Sequence, residues 1–132
     1  MNSVSGGGHW GGGFIIDTRD HARFGLLALR QGAWGDEQLV SSDWFGRATA
    51  PTEIQPNYGY MWWLNTGQEQ LPSAPASVFY ANGAGSTNII YVDREHDLVT
   101  VTRWLDGPEH VDEFIRLVLS AIGDDGTSAG GG

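Results

Sequence analysis

Apolar residues recur at a helical period near the start of the chain. The stripe consists of Ala22, Leu26 and Leu29. Asp17 precedes the stripe and is a good N-cap residue, because its carboxylate can accept a hydrogen bond from a backbone N–H of the first turn. The pattern predicts a helix over residues 18–30 and places its basic side chains, His21 included, on a solvated face.

Capping residues predict two further helices. Ser41 or Ser42 can begin a short helix that ends at Ala48, since a proline follows closely and disfavours the α conformation in the residue before it. Near the C-terminus, Asp106 can cap a helix with Glu109 at the third position and Pro108 at the first helical position, where the missing N–H of proline costs nothing. The apolar face of this last helix consists of Val111, Phe114, Ile115, Val118 and Ile122.

Four short segments have the residue types of β-strands. Residues 58–64 are mostly aromatic or large and apolar, which is typical of a strand buried on both faces. Residues 77–81, 88–92 and 98–104 follow, and the connection from Asp93 to Asp97 is of hairpin length, so the last two strands are predicted to be antiparallel. The expected fold is an α+β sandwich, an antiparallel sheet with N-terminal and C-terminal helices packed on it.

The length of the chain allows one domain. Its 132 residues begin with a glycine-rich stretch, residues 1–13, which we expect to be a loop leading into the first helix. Residues 14–122 carry the apolar patterns and are expected to fold. Residues 123–132 lack the apolar content to become ordered, so a disordered tail is predicted there.

The charge balance excludes several partners. Seven basic and 16 acidic side chains give a net charge of −9, which repels nucleic acid backbones and anionic lipid surfaces. No apolar run approaches the ~20 residues that span a bilayer, and the first residues lack the basic and apolar regions of a signal peptide. Any export signal would lie upstream, so both the periplasm and the cytoplasm stay open.

Residues with metal-binding or acid-base chemistry are scattered. The histidines are His9, His21, His96 and His110, and no two of them have the spacing of a metal site. We therefore expect no metal and no cofactor, and we interpret Asp93 and Asp97 as turn formers. The glycine-rich segment at residues 82–86 is not a phosphate loop, because no lysine follows it and the next element is a strand.

Several segments together resemble the β-lactamase and penicillin-binding-protein superfamily. Residues 11–25, GGGFIIDTRDHARFG, resemble its Gly-Gly-x-x-x-Ser/Thr-x-x-Asp-x-Ala-Arg-Phe segment. Residues 58–63, a small-residue motif, residues 91–101 and a terminal helix then follow in the order of that superfamily. The resemblance covers roughly residues 6–122. It implies a partial β-lactamase/transpeptidase-like fold, the C-terminal portion of a class C β-lactamase-related serine hydrolase.

The resemblance also implies a site. The third motif of the superfamily, Lys-Thr-Gly or His-x-Gly on an inner strand, corresponds either to Gly83 and the three residues after it or, shifted by one, to a motif that begins at Asn82. Neither register supplies a basic side chain for a substrate carboxylate. The implied backbone oxyanion donors are Gly85 and Ser86, and the implied substrate-binding residues are Asn82, Gly83 and Ala84.

The nucleophile of the superfamily is missing. No Ser-x-x-Lys motif occurs, since the chain has no lysine, and a serine nucleophile needs an adjacent base. We expect a fragment that is inactive alone, with its helical domain and nucleophile upstream. The full-length protein would hydrolyse an ester, amide or peptide bond of a small-molecule or peptide-like substrate through an acyl-enzyme.

A non-catalytic module that binds sugars or peptides is the alternative. Its surface would consist of Trp10, Trp34, Trp62, Trp63 and Trp104. Burial of most of these rings favours the hydrolase interpretation, and a row of exposed rings favours the binding module.

Overall fold

The computed structural model describes residues 2–3, 15–83 and 86–124. The helices are α1 (Thr18–Leu29), α2 (Ser42–Ala48) and α3 (Pro108–Asp124). The strands are β1 (Asn2–Ser3), β2 (Ile15–Ile16), β3 (Ala33–Trp34), β4 (Glu37–Gln38), β5 (Trp63–Leu64), β6 (Phe79–Asn82), β7 (Asn88–Asp93) and β8 (Leu98–Arg103).

All three predicted helices form, and the predicted caps of the first two are confirmed, whereas α3 begins at Pro108, two residues after the predicted cap Asp106. Asp17 Oδ1 accepts the N–H of Asp20 at 2.9 Å, and Ser41 Oγ accepts the N–H of Trp44 at 3.3 Å. The last helix begins at Pro108 and includes the first two residues of the segment expected to be a tail. Residues 125–132 and most of the glycine-rich loop at residues 1–13 lie outside the described part of the chain.

The main sheet is antiparallel, with strand order β5-β6-β7-β8. One face packs on α1 and α2 through Phe45, Phe79, Ile90 and Val92. The opposite face packs on α3 through residues that include Tyr91, Val111 and Ile115, all fully buried. The predicted α+β architecture, with helices from both ends of the chain on the sheet, is confirmed.

Helix α1 lies unusually close to the sheet at Gly25. A Cβ atom added there would be 2.6 Å from Val99 Cγ1 and 2.7 Å from Ile90 Cγ2, distances that no real Cβ contact tolerates. Because glycine has no side chain, the helix can rest directly on the methyl groups of β7 and β8.

The strand predicted for residues 58–64 is wrong over most of its length. Only Trp63 and Leu64 belong to a strand, and Tyr58 pairs back with Trp63 across a tight turn in which Met61 has a φ of 65°. The turn requires glycine at position 59, because a Cβ atom there would lie 2.1 Å from the carbonyl oxygen of Ala48. The two-residue strands β3 and β4 form a small hairpin that the pattern analysis did not predict.

Candidate functional site

The segment with the predicted site residues joins β6 to β7. Asn82 is the last residue of β6, and Gly83 and Ser86 lie between β6 and β7. Gly83 N–H donates to the carbonyl of Asn88 at 2.8 Å, and Ser86 N–H donates to the carbonyl of Gly83 at 3.0 Å. These bonds close a hairpin turn at one end of the sheet.

The predicted oxyanion donors stay predictions. One of the two predicted donors, the Ser86 N–H, donates to the Gly83 carbonyl. Ser86 is buried and has a φ of 61°. Gly85, the other donor, and Ala84, a predicted substrate-binding residue, lie outside the described residues. The Ser86 hydroxyl accepts a hydrogen bond from Asn82 Nδ2 at 3.2 Å.

A cavity of about 240 Å³ opens beside this turn. Asn82 and Gly83 line it, as do Asn88 of β7 and His21 of α1. The structure therefore brings two of the predicted substrate-binding residues to a cavity wall.

A second, more apolar cavity of about 470 Å³ adjoins the first. Four residues line both cavities: His21, Met61, Ala81 and Ile90. The wall of the apolar cavity is braced by aromatic contacts, because Phe24 stacks on Trp62 with ring centroids 6.0 Å apart and Trp62 meets Phe79 edge-on at 5.1 Å. The two cavities form one cleft, polar at the β6–β7 turn and apolar beyond it.

His21 is not on a solvated face of α1, contrary to the expectation. Its ring lines the cleft, and Nδ1 lies 3.4 Å from Nη2 of Arg103, which also donates to the Ile16 carbonyl at 3.2 Å. Burial and, secondarily, the Arg103 charge lower the pKa of His21, so the imidazole is neutral at pH 7. Because a guanidinium only donates, Nδ1 is the acceptor and Nε2 carries the proton.

Two amide oxygens in the cleft have no partner in the described part of the chain. Both Asn82 Oδ1 and Asn88 Oδ1 are buried without a hydrogen bond, and Asn88 is only 3% exposed. Asn88 Nδ2 donates to Thr87 Oγ1 at 3.2 Å, which orients the amide. Buried polar atoms normally have a partner, so an unpaired acceptor in a cavity wall is suited to a ligand donor.

Arg103 is connected to the site through His21. It pairs with Asn88 in the β7–β8 register, and it forms no ion pair with a carboxylate among residues 15–83 and 86–124. Its Nε is buried and has no hydrogen-bond partner in the described part of the chain. The sequence could not indicate this arrangement, because the contact between Arg103 and His21 spans 82 positions.

An acid–histidine pair occurs at the opposite end of β7. Asp93 is fully buried and accepts the hydroxyl of Tyr91 at 3.0 Å and the N–H groups of Glu95 and His96 at 2.9 and 3.1 Å. The His96 ring lies 2.7 Å from the same carboxylate. These bonds make Asp93 a turn former, as the sequence indicated, and they lie away from the cleft.

Residues 2–3, 15–83 and 86–124 contain no cluster of three potential metal ligands. Within the same residues, no helix is long and apolar enough to cross a bilayer.

The tryptophans divide between the two functional interpretations. Trp62 is buried and Trp63 is half-buried, whereas Trp34 and Trp104 are exposed and form no ring contact with each other among the described residues. Trp10 lies outside the described residues. An exposed aromatic pair does occur elsewhere, where Trp44 meets Tyr60 at 5.7 Å.

No protein-family model and no curated protein matches the chain. Among solved structures, the chain is similar to the protein named "Putative 6-aminohexanoate-dimer hydrolase from Bacillus anthracis", with 21% sequence identity and a TM-score of 0.64. The match covers 89% of this chain and 31% of that structure, so the chain spans about a third of its length. That structure has a β-lactamase-like fold. The described helices and antiparallel sheet are therefore part of a β-lactamase-like fold.

Proposed function

We propose that this chain is the C-terminal α/β portion of a serine hydrolase of the β-lactamase-related type. The observation that carries the proposal is the cleft beside Asn82 and Gly83 in a chain with this fold. In the related hydrolases the third motif lies on the strand beside the reacting group, and Asn82 and Gly83 occupy the corresponding place in this sequence.

The chain would supply the sheet, one wall of the cleft and an oxyanion donor. Backbone N–H groups can stabilise a developing oxyanion without any particular side chain, so the absence of a basic residue in the third motif does not remove this role. The apolar end of the cleft is lined by Phe24, Met61 and Trp62, and would hold the acyl or leaving-group chain of a small-molecule or peptide-like substrate.

The covalent step must come from elsewhere. The chain has no lysine, and the hydroxyl of Ser86 is hydrogen-bonded to an asparagine, which is not a base. The nucleophile and its base would belong to a helical portion outside these residues. The Bacillus anthracis protein is named a hydrolase and is about three times as long, which is consistent with this division.

The experiment is an acylation assay on the protein expressed from the complete reading frame. Gly85→Val places a side chain at the predicted oxyanion donor, and Gly67→Val is the matched control in a turn where only the flexible Glu69 side chain is near. Loss of one oxyanion donor typically lowers the rate by ~10²–10³. We expect Gly85→Val to slow acylation by at least ~10-fold and Gly67→Val to leave it unchanged. Equal rates for both variants would contradict the assigned role.

A binding module for sugars or peptides is the second candidate. The observation that favours it is the exposed Trp44–Tyr60 pair, with the Arg47 guanidinium 6.0 Å from the Trp44 ring. Stacking on exposed aromatic rings is a common mode of sugar binding, and titration with soluble oligosaccharides would change the Trp44 fluorescence if this function holds. Loss of that signal in Trp44→Ala, with Trp34→Ala as the control, would assign the site.

A further inference from the structure

We propose that the cleft recognises a secondary amide group of its substrate, with Asn88 Oδ1 accepting the amide N–H and His21 Nε2 donating to the amide carbonyl. This inference rests on the proposed hydrolase function, because it names the bond class that the same cleft would receive. It makes Asn88 and His21 residues that determine specificity. Neither belongs to the motif residues identified in the sequence.

The acceptor is defined by Asn88. Its side chain lines the cavity, is almost fully buried, and has an amide oxygen without a partner in the described residues. The hydrogen bond from Nδ2 to Thr87 uses one of the two N–H donors and orients the amide, while Oδ1 has no partner in the described residues. A ligand with a hydrogen-bond donor would satisfy this oxygen, and a ligand without one would leave it desolvated and unpaired.

The donor is defined by His21. Nδ1 faces the Arg103 guanidinium, so the proton of the neutral ring is on Nε2, and the ring lines both parts of the cleft. The wall thus offers a donor at His21 and an almost fully buried acceptor at Asn88 Oδ1, while Asn82 Oδ1 is a second acceptor without a partner in the described residues. A secondary amide presents the complementary pair, a carbonyl oxygen and an N–H, whereas an ester presents acceptors only.

Charge excludes the other common donor, an ammonium group. Arg103 lies against His21 and carries a positive charge that no carboxylate in the described residues neutralises. A second cation in the adjoining cavity would be repelled. A neutral N–H is therefore preferred over an ammonium.

The test compares three probes of nearly equal shape on the 132-residue chain: N-ethylhexanamide, ethyl hexanoate, and the tertiary amide N-ethyl-N-methylhexanamide. Binding is followed by NMR of the labelled chain and by the fluorescence of Trp62 and Trp63, which line the cleft. An unpaired buried acceptor weakens binding by roughly five- to a hundredfold. We expect the secondary amide to bind tighter than the ester by such a factor, and the tertiary amide, which lacks N–H, to resemble the ester.

Variants assign the preference to the named atoms. Asn88→Leu removes the acceptor and is expected to abolish the difference between probes, while Asn57→Leu, in a separate cavity, is expected to keep it. Asn88→Asp retains an acceptor and is expected to keep the preference, which preserves the test if the leucine variant does not fold. His21→Gln keeps a donor and is expected to keep the preference for the secondary amide. His110→Gln, on the exposed start of α3, is the matched control and is expected to keep it too.

Several results would overturn the proposal: equal affinities of the three probes, no binding of any probe to the folded chain, or a preference that survives Asn88→Leu. Since these experiments measure binding and not turnover, failure of the amide-recognition proposal is distinguishable from failure of the hydrolase proposal. A complete protein without hydrolase activity could still prefer the amide, and an active one could bind amide and ester equally.

Discussion

Replacing Gly25 with alanine tests the packing of α1 on the sheet that carries the cleft. The added Cβ would lie 2.6 Å and 2.7 Å from methyl carbons of Val99 and Ile90, about 1 Å inside the ordinary contact distance of 3.5–4.0 Å. Both neighbours are β-branched and have few alternative rotamers, so backbone movement must absorb the overlap. Overpacking of this kind costs about 1–3 kcal/mol.

Helix propensity acts in the opposite direction. Alanine in a helix interior is more stable than glycine by roughly 0.5–1 kcal/mol. The net expectation for Gly25→Ala is a loss of up to about 2.5 kcal/mol, which corresponds to a melting temperature lower by up to roughly 10 °C for a domain of this size.

Gly46→Ala in α2 is the matched control. No atom lies within 4 Å of the Cβ position there, so only the propensity gain remains, and the variant should be more stable than the wild type by about 0.5–1 kcal/mol. Both variants are compared by thermal and urea unfolding. Adding Val99→Ala to Gly25→Ala should recover part of the loss, because it removes the nearest methyl group. A Gly25→Ala protein as stable as Gly46→Ala would refute the close approach of α1.

Two further predictions concern the side chains of Asp93 and His21. Asp93→Ala removes the acceptor of the Tyr91 hydroxyl and of two backbone N–H groups and should cost at least ~2 kcal/mol in urea unfolding. Arg30→Ala, which breaks the exposed ion pair with Asp97, should cost less than ~1 kcal/mol, and equal losses would contradict the assignment. The lowered pKa of His21 means that the unfolded chain binds the proton more tightly, so this ring's contribution to stability is present above pH 6.5 and declines as the pH falls below it. His21→Leu should lose that part of the pH dependence and His110→Leu should keep it, as measured by unfolding between pH 5 and 8.

Local signals in the sequence were sufficient for the helices. Asp17 and Ser41 cap α1 and α2 as expected, because a cap depends on residues within one turn of the chain. The apolar face predicted for the last helix is correct in part, since Val111 and Ile115 are buried against the sheet whereas Phe114 and Ile122 are exposed.

The turn at residues 58–63 depended on a distant contact. Its apolar residues are typical of a strand, but Gly59 touches the carbonyl of Ala48, and Tyr60 N–H donates to the same oxygen at 2.9 Å. No pattern within the segment indicates that contact. Tertiary packing overrode the local preference.

The cleft was predicted only in part, because some of its residues are brought together by contacts between distant parts of the chain. The small residues around Gly83 indicated a place where a ligand approaches the backbone, and Asn82 and Gly83 do line a cavity. The roles of His21 and Arg103 could not be predicted, because only the packing of α1 against β8 brings the two side chains together.

The most direct test of the proposed function is covalent labelling with a serine-directed fluorophosphonate, read by mass spectrometry. The 132-residue chain should remain unlabelled, since it has no Ser-x-x-Lys motif and no lysine. The protein from the complete reading frame should gain one adduct, mapped to the serine of a Ser-x-x-Lys motif N-terminal to these residues. Labelling of a serine within the 132 residues, or a folded complete protein with no adduct and no such motif, would contradict the account.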